Sequence, residues 1–83
     1  MSQQEVTQTL DVKGLSCPMP VVKTRSAVDD LSSGEVLKVV STDSGSMSDL
    51  KGWADSTDGV SMLDQEETEE SGDALFVHYI QKE

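Results

Sequence analysis

The sequence predicts an α+β fold: a two-layer α/β sandwich in the order βαβαββ, with a four-stranded mixed sheet carrying two helices on one face. Three observations lead to it. Four short segments are dense in alternating or β-branched apolar residues, two segments between them repeat apolar residues at three- and four-residue spacing, and a Ser-Gly-Asp turn separates the last two strand-like runs. A chain of 83 residues with 35% apolar side chains holds one core, because so short a chain buries only a little over half of its unfolded surface. A single domain is expected over residues 9–83, after a flexible N-terminal segment 1–8.

The first strand is Thr9-Leu10-Asp11-Val12-Lys13, which alternates polar and apolar residues until Gly14 breaks it. From Pro18 to Leu31 the residues Val21, Val22, Val28 and Leu31, with Thr24 and Ala27 between them, follow the period of an amphipathic helix. Pro18 and Pro20 fit only its first turn, where backbone N–H groups have no intrahelical acceptor to lose. Gly34 is positioned as its C-terminal stop. Glu35 to Thr42 is rich in β-branched residues and reads as a largely buried second strand. Asp43-Ser44-Gly45-Ser46 is a turn, and Ser46 with Asp49 three residues on resembles a capping box opening a second helix with Met47, Leu50, Trp53 and Ala54 on one face. Gly59 ends that helix and Val60-Ser61-Met62-Leu63 starts the third strand. The acidic cluster Glu66-Glu67-Thr68-Glu69-Glu70 is expected to span the end of that strand and a solvated hairpin loop. Ala74 to Ile80 forms the fourth strand, apolar on both faces, which suits a central place or a partly apolar outer face. Both βα crossovers should be right-handed.

The charge balance narrows the function classes. Sixteen acidic against six basic side chains give a formal charge of -10, a field that repels phosphate backbones and anionic lipid surfaces. Direct nucleic-acid binding is therefore disfavoured. The acidic surface serves either solubility in a salty interior or contact with basic protein partners, and the two are compatible. No segment approaches the length of a membrane span, and the first residues lack a basic region followed by an apolar stretch, so a cytoplasmic location is expected. One cysteine and one histidine exclude an intrachain disulfide framework and a closed structural zinc site. No metal or cofactor is expected.

The single thiol, Cys17, falls in Leu15-Ser16-Cys17-Pro18-Met19-Pro20, at the junction between the first strand and first helix. Unpaired N–H groups and the positive end of the helix macrodipole stabilise an anion there. A helix N-terminus lowers a cysteine pKa below its free value of about 8.5, and the thiolate is the nucleophile. The same field would favour a persulfide anion. The prolines thin the local N–H inventory to Met19 and Val21 and present the sulfur on a stiff turn. Lys13, Lys23 and Arg25 are nearby cations, so this end is expected to be less negative than the rest. The competing reading of Cys17 is a small buried hydrophobe, but buried structural cysteines normally sit inside apolar runs rather than at a strand-to-helix turn.

The run from Leu10 to Arg25 resembles the signature of the TusA/SirA-like sulfur carrier family, a Cys-Pro-x-Pro motif after a Leu-Asp-x-x-Gly-Leu lead. Gly34-Glu35, Thr42 to Ser46, Asp49, Trp53 and the closing hairpin extend the resemblance over roughly residues 9 to 81. One departure is Asp43-Ser44-Gly45-Ser46, where the family often has Asp-Pro-Gly-Ser. The resemblance implies a sulfur carrier that accepts a sulfane sulfur as a persulfide on Cys17 and relays it to a partner protein. The implied donor is a pyridoxal-phosphate cysteine desulfurase or a rhodanese-like protein, and the recipient is a downstream sulfur-acceptor protein. The implied settings are tRNA 2-thiouridine synthesis, dissimilatory sulfur metabolism or molybdenum-cofactor assembly. Gly14, Pro18 and Pro20 would shape the loop, and Arg25 and Asp43 match family positions associated with partner docking. A regulatory interaction module without transfer chemistry is the alternative. Trp53 reads as core, and His78 sits in a strand with no partner that the sequence identifies.

Overall fold

A computed structural model describes residues 6–16 and 18–83; Cys17 and most of the expected flexible segment lie outside the described residues. The elements are β1 (Gln8–Val12), α1 (Met19–Asp29), β2 (Val36–Ser41), α2 (Ser46–Ser56), β3 (Val60–Glu70) and β4 (Asp73–Lys82). They form one four-stranded sheet in the order β1-β2-β4-β3. β1 and β2 run parallel, from Gln8 opposite Leu37 to Val12 opposite Ser41, while β4 is antiparallel to both β2 and β3. The order βαβαββ, the mixed sheet and the inner place of β4 match the sequence expectation.

Strand alternation decides which face is dry. Leu10 and Val12 of β1, Leu37, Val39 and Ser41 of β2, and Phe76, His78 and Ile80 of β4 fall on one face by register. Both helices cover it: Val28 of α1, Leu31 just beyond it and Leu50 of α2 join Val12, Leu37, Val39 and Ile80 in one buried cluster. Trp53 packs against that cluster, half-buried, as a core residue.

Several expectations are corrected. α1 ends at Asp29 rather than Leu31, because Asp30 and Leu31 donate to the carbonyls of Ala27 and Val28 in a tightened last turn. Gly34 therefore opens the approach to β2 instead of stopping the helix, and its N–H donates to the Lys82 carbonyl. Val22, placed on the apolar face by period, is exposed, while Thr24 is fully buried. The capping box is absent: the N-cap of α2 is Gly45, no side chain caps it, and Ser46 turns inward. The largest correction is β3. Its pairing continues from Glu66 opposite Val77 to Glu70 opposite Asp73, so the acidic cluster is strand and not loop. Ser71 and Gly72 alone make the turn, at φ 53° and 86°. Positive φ at both positions is the geometry whose twist suits a two-residue hairpin, and glycine adopts it without a Cβ clash. A register shift between Met62 and Asp64 bends β3 near its start.

Candidate functional site

The site is built where β1 and β2 end and both helices begin. After Val12, Leu15 donates its N–H to the Val12 carbonyl at 3.1 Å, and Gly14 takes φ +84°. That left-handed conformation is nearly free for glycine and unfavourable for residues with a Cβ. It aims the Gly14 N–H at Thr42 Oγ1, 2.9 Å away in the loop after β2. One hydrogen bond thus ties the loop before α1 to the loop before α2.

On the far side of position 17, the Met19 N–H donates to the Ser16 carbonyl at 2.9 Å. Of the two N–H groups expected to remain for an anion, Met19 is therefore already engaged. Pro18 is the N-cap of α1 at φ -96°, and Pro20 lies in the first turn and is buried. Val22 donates to the Pro18 carbonyl at 3.1 Å. The two prolines occupy positions whose missing N–H costs the helix nothing, as the sequence reading required.

Asp43 is half-buried in the second loop. Its N–H donates to Ser41 Oγ, its Oδ1 accepts from Gly45 N–H and its carbonyl accepts from Ser46 N–H, each at 3.0 Å. The side chain closes an Asx turn that leads into α2. Gly14, Pro18, Pro20 and Asp43 therefore share one end of the sheet. Arg25 does not: six residues past Met19, it stands about 9 Å along α1. It is exposed, and neither it nor Lys23 forms an ion pair among the described residues. Met19 and Val22, 38% and 37% exposed, lie on the same helix.

The electrostatics of this end are mixed. Lys13 Nζ is 3.8 Å from Asp11 and 3.9 Å from Glu70, which the long hairpin brings across the sheet. The end expected to be less negative than the rest thus carries Asp11 and Glu70 against Lys13 on the hairpin side, and its other nearby cations, Lys23 and Arg25, stand on α1.

Sequence reasoning missed a buried polar network behind the second loop. His78 is fully buried, and its Nε2 is 3.1 Å from Ser46 Oγ. Gln65 Nε2 donates to the Met47 carbonyl at 2.7 Å and lies 3.0 Å from His78 Nδ1. With the amide donating to Nδ1, the ring proton resides on Nε2 and is given to Ser46. Burial favours the neutral ring and lowers the His78 pKa from 6.5 to about 4. The available signal was Gln65, an uncharged amide in a carboxylate-rich strand that falls opposite His78. Among the described residues no cluster of His, Cys, Asp and Glu could hold a metal ion, and no helix is long and apolar enough to cross a membrane.

Comparison with known proteins agrees with this geometry. A candidate sulfur carrier protein of Halobacterium salinarum is 62% identical over 78 residues, covering 94% of this chain and 91% of the relative. The sulfur carrier protein TusA of Allochromatium vinosum is 40% identical over 60 residues, covering 72% and 79%. The crystal structure of a SirA-like protein from Desulfitobacterium hafniense superposes with a TM-score of 0.67 at 26% identity, covering 92% of this chain and 99% of that one. Residues 8–82 match the family described as Sulfurtransferase TusA, and with the fold and the paired loops in place, the chain belongs to that family.

Proposed function

We propose that the protein is a sulfur carrier that holds a sulfane sulfur as a persulfide on Cys17 and passes it to a second protein. The Cys17 thiolate attacks the outer sulfur of a donor persulfide, the donor's S–S bond breaks, and the donor cysteine leaves as thiolate while Cys17–S–SH forms. In the second step an acceptor cysteine thiolate attacks the outer sulfur, and Cys17 leaves as thiolate. No external oxidant or reductant enters either step. A cysteine desulfurase or a rhodanese-like protein is the proposed donor, and tRNA thiolation, molybdenum-cofactor assembly and dissimilatory sulfur metabolism are the candidate destinations.

The observation that carries this reading is the Cys-Pro-x-Pro motif at the β1–α1 junction of a chain in the TusA family. Gly14, Pro18 and Pro20 are proposed to shape the presenting loop. Asp43, beside the Thr42 that anchors Gly14, and Arg25 on α1 are proposed partner contacts. Incubating the full chain with a cysteine desulfurase and cysteine, then weighing the intact protein, tests the proposal. A gain of one sulfur atom that Cys17→Ser abolishes is expected; no gain from any donor would leave a non-catalytic interaction module as the better reading.

A further inference from the structure

We propose that the cavity between the Lys13–Gly14 loop and the overhanging end of the β3–β4 hairpin receives an extended basic segment of the protein that exchanges sulfur with Cys17. The inference rests on the carrier reading and adds where the partner's chain lies and what side chains it carries.

The first argument is an unused strand edge. Pairing between β2 and β4 ends at Ser41 opposite Phe76, yet the hairpin continues to its turn at Ser71–Gly72. Beyond Ser41 the chain turns toward β1, where Thr42 accepts the Gly14 N–H. A two-residue hairpin turn makes Glu70–Asp73 a hydrogen-bonded pair, and alternation makes Thr68–Leu75 the next one. The N–H and C=O of Ala74 consequently point away from β3, into the line that β2 has vacated. Ala74 is exposed, and no loop or side-chain hydrogen bond reaches it among the described residues. A free edge of this kind is where an added strand pairs.

The second argument is the cavity along that edge. It has a volume of about 520 Å³ and is lined by Lys13, Gly14, Thr42, Glu70, Asp73 and Ala74. Leu75 forms its apolar part.

Charge gives the third argument. Glu70 and Asp73 sit opposite each other at the rim, and by register they share the outer face with Leu75. Lys13 stands 3.9 Å from Glu70 with both side chains well exposed, a pair weak enough for an incoming Lys or Arg to displace. A chain of net charge -10 also draws cationic segments toward it. The segment that fits carries an apolar residue over Leu75 and, two positions along the same strand face, a basic residue between Glu70 and Asp73.

The test titrates the ¹⁵N-labelled full chain with the peptide acetyl-Val-Thr-Arg-Thr-Lys-amide, with a second peptide in which both basic residues are Glu, and with a backbone N-methylated copy of the first. Amide shifts centred on Gly14, Thr42 and Ala74 are expected with the first peptide alone. Replacing Glu70→Gln and Asp73→Asn together should weaken that binding about tenfold, and Ala74→Pro, which removes the edge N–H, should abolish it with the circular dichroism spectrum retained. Shifts centred on α1, equal binding of the acidic peptide, or no shifts at millimolar peptide would overturn the inference. Loading by inorganic polysulfide separates the two levels. If Cys17 takes up no sulfur, the carrier reading fails; if it loads while the peptide moves nothing, only the docking site fails.

Discussion

Replacing His78→Gln should flatten the acid dependence of stability. The folded ring titrates at about 4 against 6.5 unfolded, because the buried site disfavours imidazolium. Between those values the unfolded chain binds the extra proton, so stability rises with pH: the contribution is complete above pH 6.5 and is lost as pH falls toward 4. The full interval is worth about 3 kcal/mol, of which about 2.5 kcal/mol is gone by roughly pH 4.5. With an m value of about 1 kcal/mol per molar urea for a domain of this size, the wild-type midpoint should fall by about 2.5 M more than that of the variant between roughly pH 7.5 and 4.5. Protonation of the many surface carboxylates relieves repulsion and acts in the opposite direction, but it is common to both proteins and cancels in the difference. The measurement is urea denaturation followed by Trp53 fluorescence across that range. Parallel pH curves for the two proteins, or an NMR titration of His78 with a midpoint near 6.5, would refute the reasoning.

Leu50 is fully buried between α2 and the sheet, and Leu50→Ala should cost about 3 kcal/mol, read as a lower urea midpoint with unchanged m. Ser71 holds φ 53° at the first position of the hairpin turn, so Ser71→Asn, which tolerates that conformation better, should raise the thermal midpoint by a few degrees, whereas a drop would contradict the turn assignment. Tyr79 has its pKa raised above 10.0, first by burial and then by its hydrogen bond to Glu66 and the charges of Glu66 and Asp64. Glu66→Gln should therefore lower the phenol titration measured by absorbance without bringing it fully back to the free value, and an unchanged titration would exclude the contact.

How far the fold could be read from the sequence differs by element. β2 and β4 were legible because these two inner strands are apolar on both sides: Leu37, Val39 and Ile80 lie on the helix-covered face, and Val36 and Val77 are buried on the other. β3 beyond Leu63 was not, because an edge strand with solvated side chains has no apolar period to display. Its length is set by β4, and only the pairing of Glu66 to Glu70 with Val77 to Asp73 reveals it. Ser46 was misassigned for a different reason. A serine before a helix satisfies a capping pattern, but here its hydroxyl meets a histidine 32 residues away, a tertiary contact that no local pattern contains. At the candidate site, the motif cysteine, its prolines and Gly14 were visible as a local pattern. The hairpin overhang that carries Glu70 and Asp73 to the same end was not, since it depends on strand lengths that emerge only on pairing.

The strand order has a consequence for how the domain is made. β4 is the last of the four strands in the sequence and is hydrogen-bonded on both sides, to β2 and to β3. During synthesis the first three strands can offer only the β1–β2 pair, and β3 has nothing to attach to until the residues after Gly72 leave the ribosome. A nascent chain halted before Asp73 can hold no more of the sheet than the β1–β2 pair, so the sheet is completed in one late step.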